Sequence, residues 1–315
     1  HLKKQTDSQS IKEYKAINSY EKAISINPNF ANAYNNLGNL YLDLGREDDA
    51  INSYSRAIQI NPNFAQAHNL LGVGLKEKKQ FEGAIQSYKN AIKHKSNFSD
   101  AHNNLGNAFM ELDELNFAVE SYKQALKYSP DFPSIHINLG NALKKLNKHT
   151  EAIKSYEKAL LFNEDYPDSY NSLGVVYFEM EKFDESIEFY EKAIKINPSY
   201  AEAYNNLGAV YKKLGNFDEA IGCFESALSI KPNFADAYGN LGHLHKKNGL
   251  PEKALICYEK ASEINPNDPE NYNNLGVAYS QLELLDKSLN TYEKAIDLDA
   301  SYVHAHNNLG HLYCK

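Results

Sequence analysis

Between Ala201 and Phe234 the apolar residues form two helical stripes separated by a short polar turn. In the first stripe Tyr204, Leu207 and Tyr211 are spaced i, i+3, i+7, which places them on one face of a helix. Ala220, Phe224 and Ala227 repeat the device in the second stripe, and Pro232 ends it, since proline cannot donate the next backbone hydrogen bond. The Leu-Gly pair of the first stripe then recurs every 34 residues, at Leu37, Leu71, Leu105, Leu139, Leu173, Leu207, Leu241, Leu275 and Leu309. A fixed period of this length predicts a stack of helix pairs in which each pair buries its apolar face on its neighbours.

The pattern divides the chain. Residues 1–10 are polar and out of register, and are expected to be a frayed lead-in. Residues 11–30 carry the second helix of a repeat alone, with Ala16, Tyr20, Ala23 and Pro28 in register. Eight full 34-residue repeats span 31–302, and a ninth starts at 303–315, from which the parent protein is expected to continue past Lys315.

Within a repeat, Gly208 lets the second helix approach closely, Gly215 suits a left-handed turn, and Asp218 favours the start of the second helix. Three kinds of departure occur. The first aromatic is His in four repeats (His68, His102, His136, His306). Proline is absent at Ser96, Glu164 and Ala300, where looser joints are expected. Asp113, Glu181 and Glu283 replace the turn glycine.

Composition narrows the function classes. A balance of 33 basic against 41 acidic side chains gives −8, the wrong sign for nucleic acid, whose partners displace counterions with a basic stripe. No apolar run reaches the roughly 18 residues of a membrane span, and no signal peptide opens the chain. Cys223 and Cys257 are one repeat apart, too far for a disulfide across packed helices, and three free thiols suit a cytoplasmic location. No repeat carries an insertion, and no phosphate-loop, dinucleotide, HExxH or CxxC motif is present, so no catalytic residue and no cofactor is expected. Three of the eleven histidines, His304, His306 and His311, cluster near the end. His306 holds an aromatic packing position, and no metal site is expected.

The 34-residue motif resembles the tetratricopeptide repeat (TPR), and the resemblance covers nearly the whole chain. It implies an all-α, right-handed α-α superhelix (TPR solenoid) whose first helices line a concave groove. One position before each Leu stands Asn36, Asn104, Asn138, Asn206, Asn240, Asn274 and Asn308, interrupted by Leu70 and Ser172. An amide offers two donors and an acceptor, so a column of them can bond the main chain of an extended peptide. The row resembles the asparagine ladder in the TPR arm of O-linked N-acetylglucosamine transferases and related bacterial TPR proteins.

Further groove candidates are Asn39, Asn107 and Asn141 in the first half, and Phe178, Lys144, Lys212 and Lys246 six residues after the ladder. Asp100, Asp168, Glu202, Asp236 and Glu270 would form an acidic rim, although acids at helix starts also suit the helix dipole. Seven net hydrogen bonds give about 7 kcal/mol, of which ordering the peptide consumes about 2–5, leaving millimolar-range affinity before side-chain contacts. A clamp for a C-terminal carboxylate is not expected, because Asn35, Asn69 and Asn103 stand where it needs lysine or arginine.

The leading expectation is a protein–protein interaction scaffold that binds extended peptide segments, with no nucleic acid and no membrane partner. One alternative is the substrate-recruiting arm of a larger transferase whose catalytic domain is not in this chain. Another is a self-assembling structural scaffold, a homo-oligomer.

Overall fold

The computed structural model describes residues 2–314, with side chains described from residue 12 onward. It comprises two units, 1–164 and 165–315. The first holds α1 (Leu2–Ile26), α2 (Ala31–Asp43), α3 (Glu47–Ile60), α4 (Ala65–Glu77), α5 (Phe81–His94), α6 (Ser99–Glu111), α7 (Leu115–Tyr128), α8 (Pro133–Lys145) and α9 (His149–Phe162). The second holds α10 (Pro167–Glu179), α11 (Phe183–Ile196), α12 (Ala201–Leu214), α13 (Phe217–Ile230), α14 (Ala235–Lys247), α15 (Pro251–Ile264), α16 (Pro269–Gln281), α17 (Leu285–Leu298) and α18 (Val303–Tyr313). The all-α solenoid is therefore what forms: α2 to α9 are four helix pairs, and α10 to α17 are four more. One boundary differs from expectation. Helix α1 already starts at Leu2, because no proline or glycine stands between Leu2 and Ile26 to end it.

Each pair is held by one aromatic side chain of the second helix seated against the glycine of the first. Tyr54, Tyr88, Tyr122, Tyr156, Tyr190, Phe224 and Tyr258 are at most 2% exposed. A methyl group on Gly106 would stand 2.5 Å from Tyr122 Cε1, and one on Gly208 would stand 2.8 Å from Phe224 Cε1. Only glycine admits that approach, so the Leu-Gly signature records a ring lying on a backbone. Small residues complete the fit: Ala50, Ala84, Ala118, Ala152, Ala220 and Ala254 are fully buried.

The turn inside each pair closes with the same long hydrogen bond, for example Arg46 N to Tyr41 O at 2.8 Å, Glu114 N to Phe109 O at 2.9 Å and Asn216 N to Tyr211 O at 3.0 Å. This Schellman closure requires one residue at positive φ. Gly45, Gly215 and Gly249 take that place in three pairs, while Lys79, Asp113, Asn147, Glu181 and Glu283 take it at φ near 58° in five. Lys79 and Asn147 join the expected departures. The turn between pairs keeps its form without proline: Asp299 Oδ1 accepts from Ser301 N at 2.9 Å, as Asn61 Oδ1 accepts from Asn63 N at 3.2 Å beside Pro62.

Candidate functional site

The first helices of successive pairs lie side by side within each unit, and the ladder asparagines meet there. Each reaches the repeat before it. In the first unit Asn104 Nδ2 donates to Asn69 Oδ1 at 3.1 Å, and Asn138 Nδ2 to Asn103 Oδ1 at 3.0 Å. In the second, Asn206 donates to Asn171 at 3.0 Å, Asn240 to Asn205 at 3.2 Å and Asn308 to Asn273 at 2.9 Å. The acceptors form a second asparagine column, one residue before the ladder, which in the sequence stands out only as the absence of a carboxylate clamp. The recurring Asn-Asn-Leu-Gly tetrad was the available signal.

Interruptions confirm the pairing. Leu70 stands where a donor to Asn35 would be, and Asn35 Oδ1 is buried with no hydrogen-bond partner. Gly239 stands where the acceptor for Asn274 would be, and Asn274 lies half-buried beside a pocket of about 220 Å³ with Lys212, Gly239 and Glu270. Asn36 is exposed. The other five ladder residues are half-buried, with one N–H fixed by the neighbouring repeat. In Asn104, Asn206 and Asn308 the fixed amide plane presents the second N–H and Oδ1 in a set direction; Asn138 keeps only its Oδ1 and Asn240 only its second N–H.

A second row couples this face to the core. Asn39, Asn107 and Asn141 accept from the buried hydroxyls of Tyr54, Tyr122 and Tyr156 at 3.0, 2.8 and 2.8 Å. Asn107 Oδ1 also accepts from Asn138 at 3.3 Å. These amides thus have a structural duty as acceptors. Where the corresponding residue is Val73 or His243, the hydroxyls of Tyr88 and Tyr258 are buried without a partner. Opposite Ala209 the ring is Phe224, which has no hydroxyl to satisfy. Burial raises the pKa of Tyr54, Tyr88, Tyr122 and Tyr258, that of Tyr54 to about 12 with help from Asp43, so these hydroxyls stay protonated.

The remaining candidates divide. Lys212 is half-buried and donates to Asn240 Oδ1 at 2.5 Å, and burial lowers its pKa, as it does for Lys246. Lys144 is half-buried on α8. Phe178 packs against the core around Tyr190 and Leu207, its ring 5.8 Å from that of Phe183, so it belongs more to the interior than to the surface. Two of the acids are already engaged: Glu202 pairs with Lys231 at 2.7 Å, and Asp168 accepts from Tyr200 at 2.5 Å.

The histidines have a different explanation. His68, His102, His136 and His306 each place Nε2 2.7–3.0 Å from a carbonyl of the preceding turn, those of Pro62, Ser96, Pro130 and Ala300. Imidazole there supplies a donor to an otherwise unpaired carbonyl. Among the described residues no group of three His, Cys, Asp or Glu converges as a metal would require, and no helix is long and apolar enough to cross a membrane. Cys223, Cys257 and Cys314 are free, and burial pushes the first two up to about 11.

No curated protein matches the chain. Among solved structures, a tetratricopeptide repeat protein from Parabacteroides merdae shares 19% identity at TM-score 0.65, over 83% of this chain and 99% of that one. The Cut9 and Hcn1 hetero-tetramer of the APC/C shares 15% at TM-score 0.64, over 94% of this chain and 58% of that one. MamA shares 33% at TM-score 0.48, over 51% of this chain and 95% of that one. The first two show the fold. The family model described as TPR repeat matches residues 13–45, 75–113, 106–147, 140–181, 176–215 and 284–315. Models described as tetratricopeptide repeat match 31–64, 201–234, 235–268 and 257–290. With rings seated on glycines every 34 residues and these matches along most of its length, the chain belongs to the tetratricopeptide repeat family.

Proposed function

We propose that the chain is a protein-interaction scaffold whose first helices hold an extended peptide by its main chain. The observation that carries the reading is the fixed amide: Asn104, Asn206 and Asn308 each spend one N–H on the preceding repeat and keep a second N–H and an acceptor oxygen, while Asn138 donates to both Asn103 and Asn107 and keeps its oxygen. An extended peptide offers alternating N–H and C=O groups, which such an amide can bind as donor and acceptor together. Orientation by the neighbouring repeat lowers the side-chain entropy lost on binding.

The capacity is smaller than seven free amides would give. Asn240 has committed its oxygen to Lys212, and Asn36 has no neighbour fixing it. At about 1 kcal/mol for each net hydrogen bond, the main-chain contribution alone is millimolar or weaker. Useful affinity therefore draws on side-chain contacts, for which Lys144, Lys212 and Lys246 supply positive charge.

The test matches that affinity. A synthetic extended peptide rich in Ser, Thr and Val, titrated to millimolar concentration, should shift the side-chain amide NMR signals of the ladder residues. Alanine at Asn138, Asn206 and Asn240 together should sharply weaken the response with helix content unchanged. An unaltered titration with that variant would remove the proposal.

A further inference from the structure

A second surface stands apart from the asparagine face and does not depend on it. Between the second helices α7 and α9 lies a cleft of about 540 Å³ whose floor is apolar, formed by Leu126, Leu139 and Phe162. Its rim carries Lys123 and Lys127 from α7 and Lys154 and Lys158 from α9, and no carboxylate lines it. Among the described residues none of the four lysines is held in an ion pair. Asp131 on the adjoining turn is close enough to raise the His136 pKa against the effect of burial, and Glu120, Glu151 and Glu157 share the two helices without lining the cleft.

The repeat supplies its own controls, because the same four positions can be read in the other pairs. One repeat earlier they are Lys89, Lys93, Glu120 and Gln124, and two repeats earlier Ser55, Gln59, Gln86 and Asn90. In the second unit they are Glu191, Lys195, Gly222 and Ser226, then Glu225, Ser229, Ile256 and Lys260, then Glu259, Glu263, Asn290 and Lys294. Four lysines meet nowhere else in either unit, and they do so on a chain of net charge −8.

Leu161 adds a second and independent departure. It borders the cleft and is 80% exposed. The equivalent positions are Ser25, Gln59, Lys93, Lys127, Lys195, Ser229, Glu263 and Asp297, all polar. An isolated exposed leucine needs no explanation. One that replaces a polar residue at the mouth of an apolar cleft ringed by cations adds apolar surface where an occupant would use it.

We propose that this cleft docks an acidic peptide segment carrying a bulky apolar side chain, the side chain seated on Leu126, Leu139, Leu161 and Phe162 and the flanking carboxylates meeting the four lysines. Charge complementarity selects the occupant: lysines held in no ion pair on an acidic protein repel cations, and neutral chains gain nothing from them.

The probe is a short fluorescein-labelled synthetic peptide with one Phe and one Leu spaced by Asp and Glu, followed by anisotropy on the full chain. Binding should weaken at least tenfold when ionic strength rises from about 0.05 to about 0.5 M. Replacing the acids by Asn and Gln, or Phe and Leu by Ser, should weaken it as much. Lys154→Glu with Lys158→Gln, which installs the residues of the preceding repeat, should cost about tenfold, and Leu161→Lys should cost several-fold. Both variants borrow side chains that the array already carries at those places, so folding is preserved. Equal binding of the neutral peptide, or variants that bind like the parent chain, would overturn the proposal. It would also fall if the labelled peptide failed to bind while the variants lost affinity for phosphatidylserine-containing vesicles, or lost a self-association seen by sedimentation.

Discussion

The two units solve one packing problem in different ways. Both press an aromatic ring onto a glycine in every pair. In 1–164 three of the four rings are tyrosines whose hydroxyls end on Asn39, Asn107 and Asn141, so the polar tip of the core is tied to a polar surface. In 165–315 the surface residues at those positions are Val175, Ala209, His243 and Val277. There three of the four tips are handled inside: Ser186 lies beside the Tyr190 hydroxyl and Ser288 beside that of Tyr292, and Phe224 has none, while the Tyr258 hydroxyl is left without a partner. Surface chemistry and core chemistry are therefore linked through one hydroxyl. An asparagine on this face is partly a requirement of the tyrosine beneath it.

The largest effect should come from the contact both units share. Gly106→Ala forces a methyl to 2.5 Å from Tyr122, and Gly208→Ala to 2.8 Å from Phe224, with Cys223 Cβ at 3.1 Å. Overpacking of this kind costs about 1–3 kcal/mol, and thermal unfolding should show the larger loss for Gly106→Ala. Equal midpoints to the parent chain would mean the rings are not confined as described.

The linkage itself is probed next. Asn107→Val, which copies the second unit, leaves Tyr122 without its acceptor and should cost about 1–3 kcal/mol. Adding Tyr122→Phe to that variant should recover most of the loss, and a double-mutant cycle with no coupling would deny the link. The reverse change, Val73→Asn, offers an acceptor to the orphaned Tyr88 hydroxyl and should stabilise the chain by about 1 kcal/mol.

A smaller difference concerns pH. Burial lowers the His136 pKa from its ordinary 6.5, although the Pro130 carbonyl acts in the opposite sense. The unfolded chain then takes up the proton first. The stability linked to His136 is present above about 6.5 and is lost as the pH falls toward its lower folded value. His136→Tyr, the choice made at Tyr170 and Tyr204, should flatten this part of the pH dependence of the thermal midpoint. An unchanged slope would show that His136 does not bear it.

The repeat was legible because every level of the sequence agrees on it. The 34-residue period, the i, i+3, i+7 stripes and the Leu-Gly pair follow from one contact, a ring on a backbone, that any stacked pair must repeat. What escaped was pairing between columns. The ladder at Asn104 and Asn138 was visible as a row, but its tie to Asn69 and Asn103 crosses 35 residues and depends on helix rotation that spacing alone does not fix. Phe178 has the offset of Lys144 and Lys212, which places it in the groove by sequence, whereas its ring turns toward Phe183. The histidines look in the sequence like substitutes for tyrosine, because the turn carbonyl that explains them lies six residues away. The four-lysine cleft is formed by residues 27 to 35 apart on two helices, so no local motif announces it.

The most direct test of the account asks whether the asparagine face reads the peptide main chain. The Ser, Thr and Val-rich peptide should be compared with a version of scrambled sequence and with one methylated at alternate backbone nitrogens. Scrambling should leave the NMR-derived affinity unchanged within a factor of two or so, and N-methylation should abolish it, because the acceptor oxygens of Asn104, Asn138, Asn206 and Asn308 lose their donors. Binding that survives N-methylation but not scrambling would contradict it.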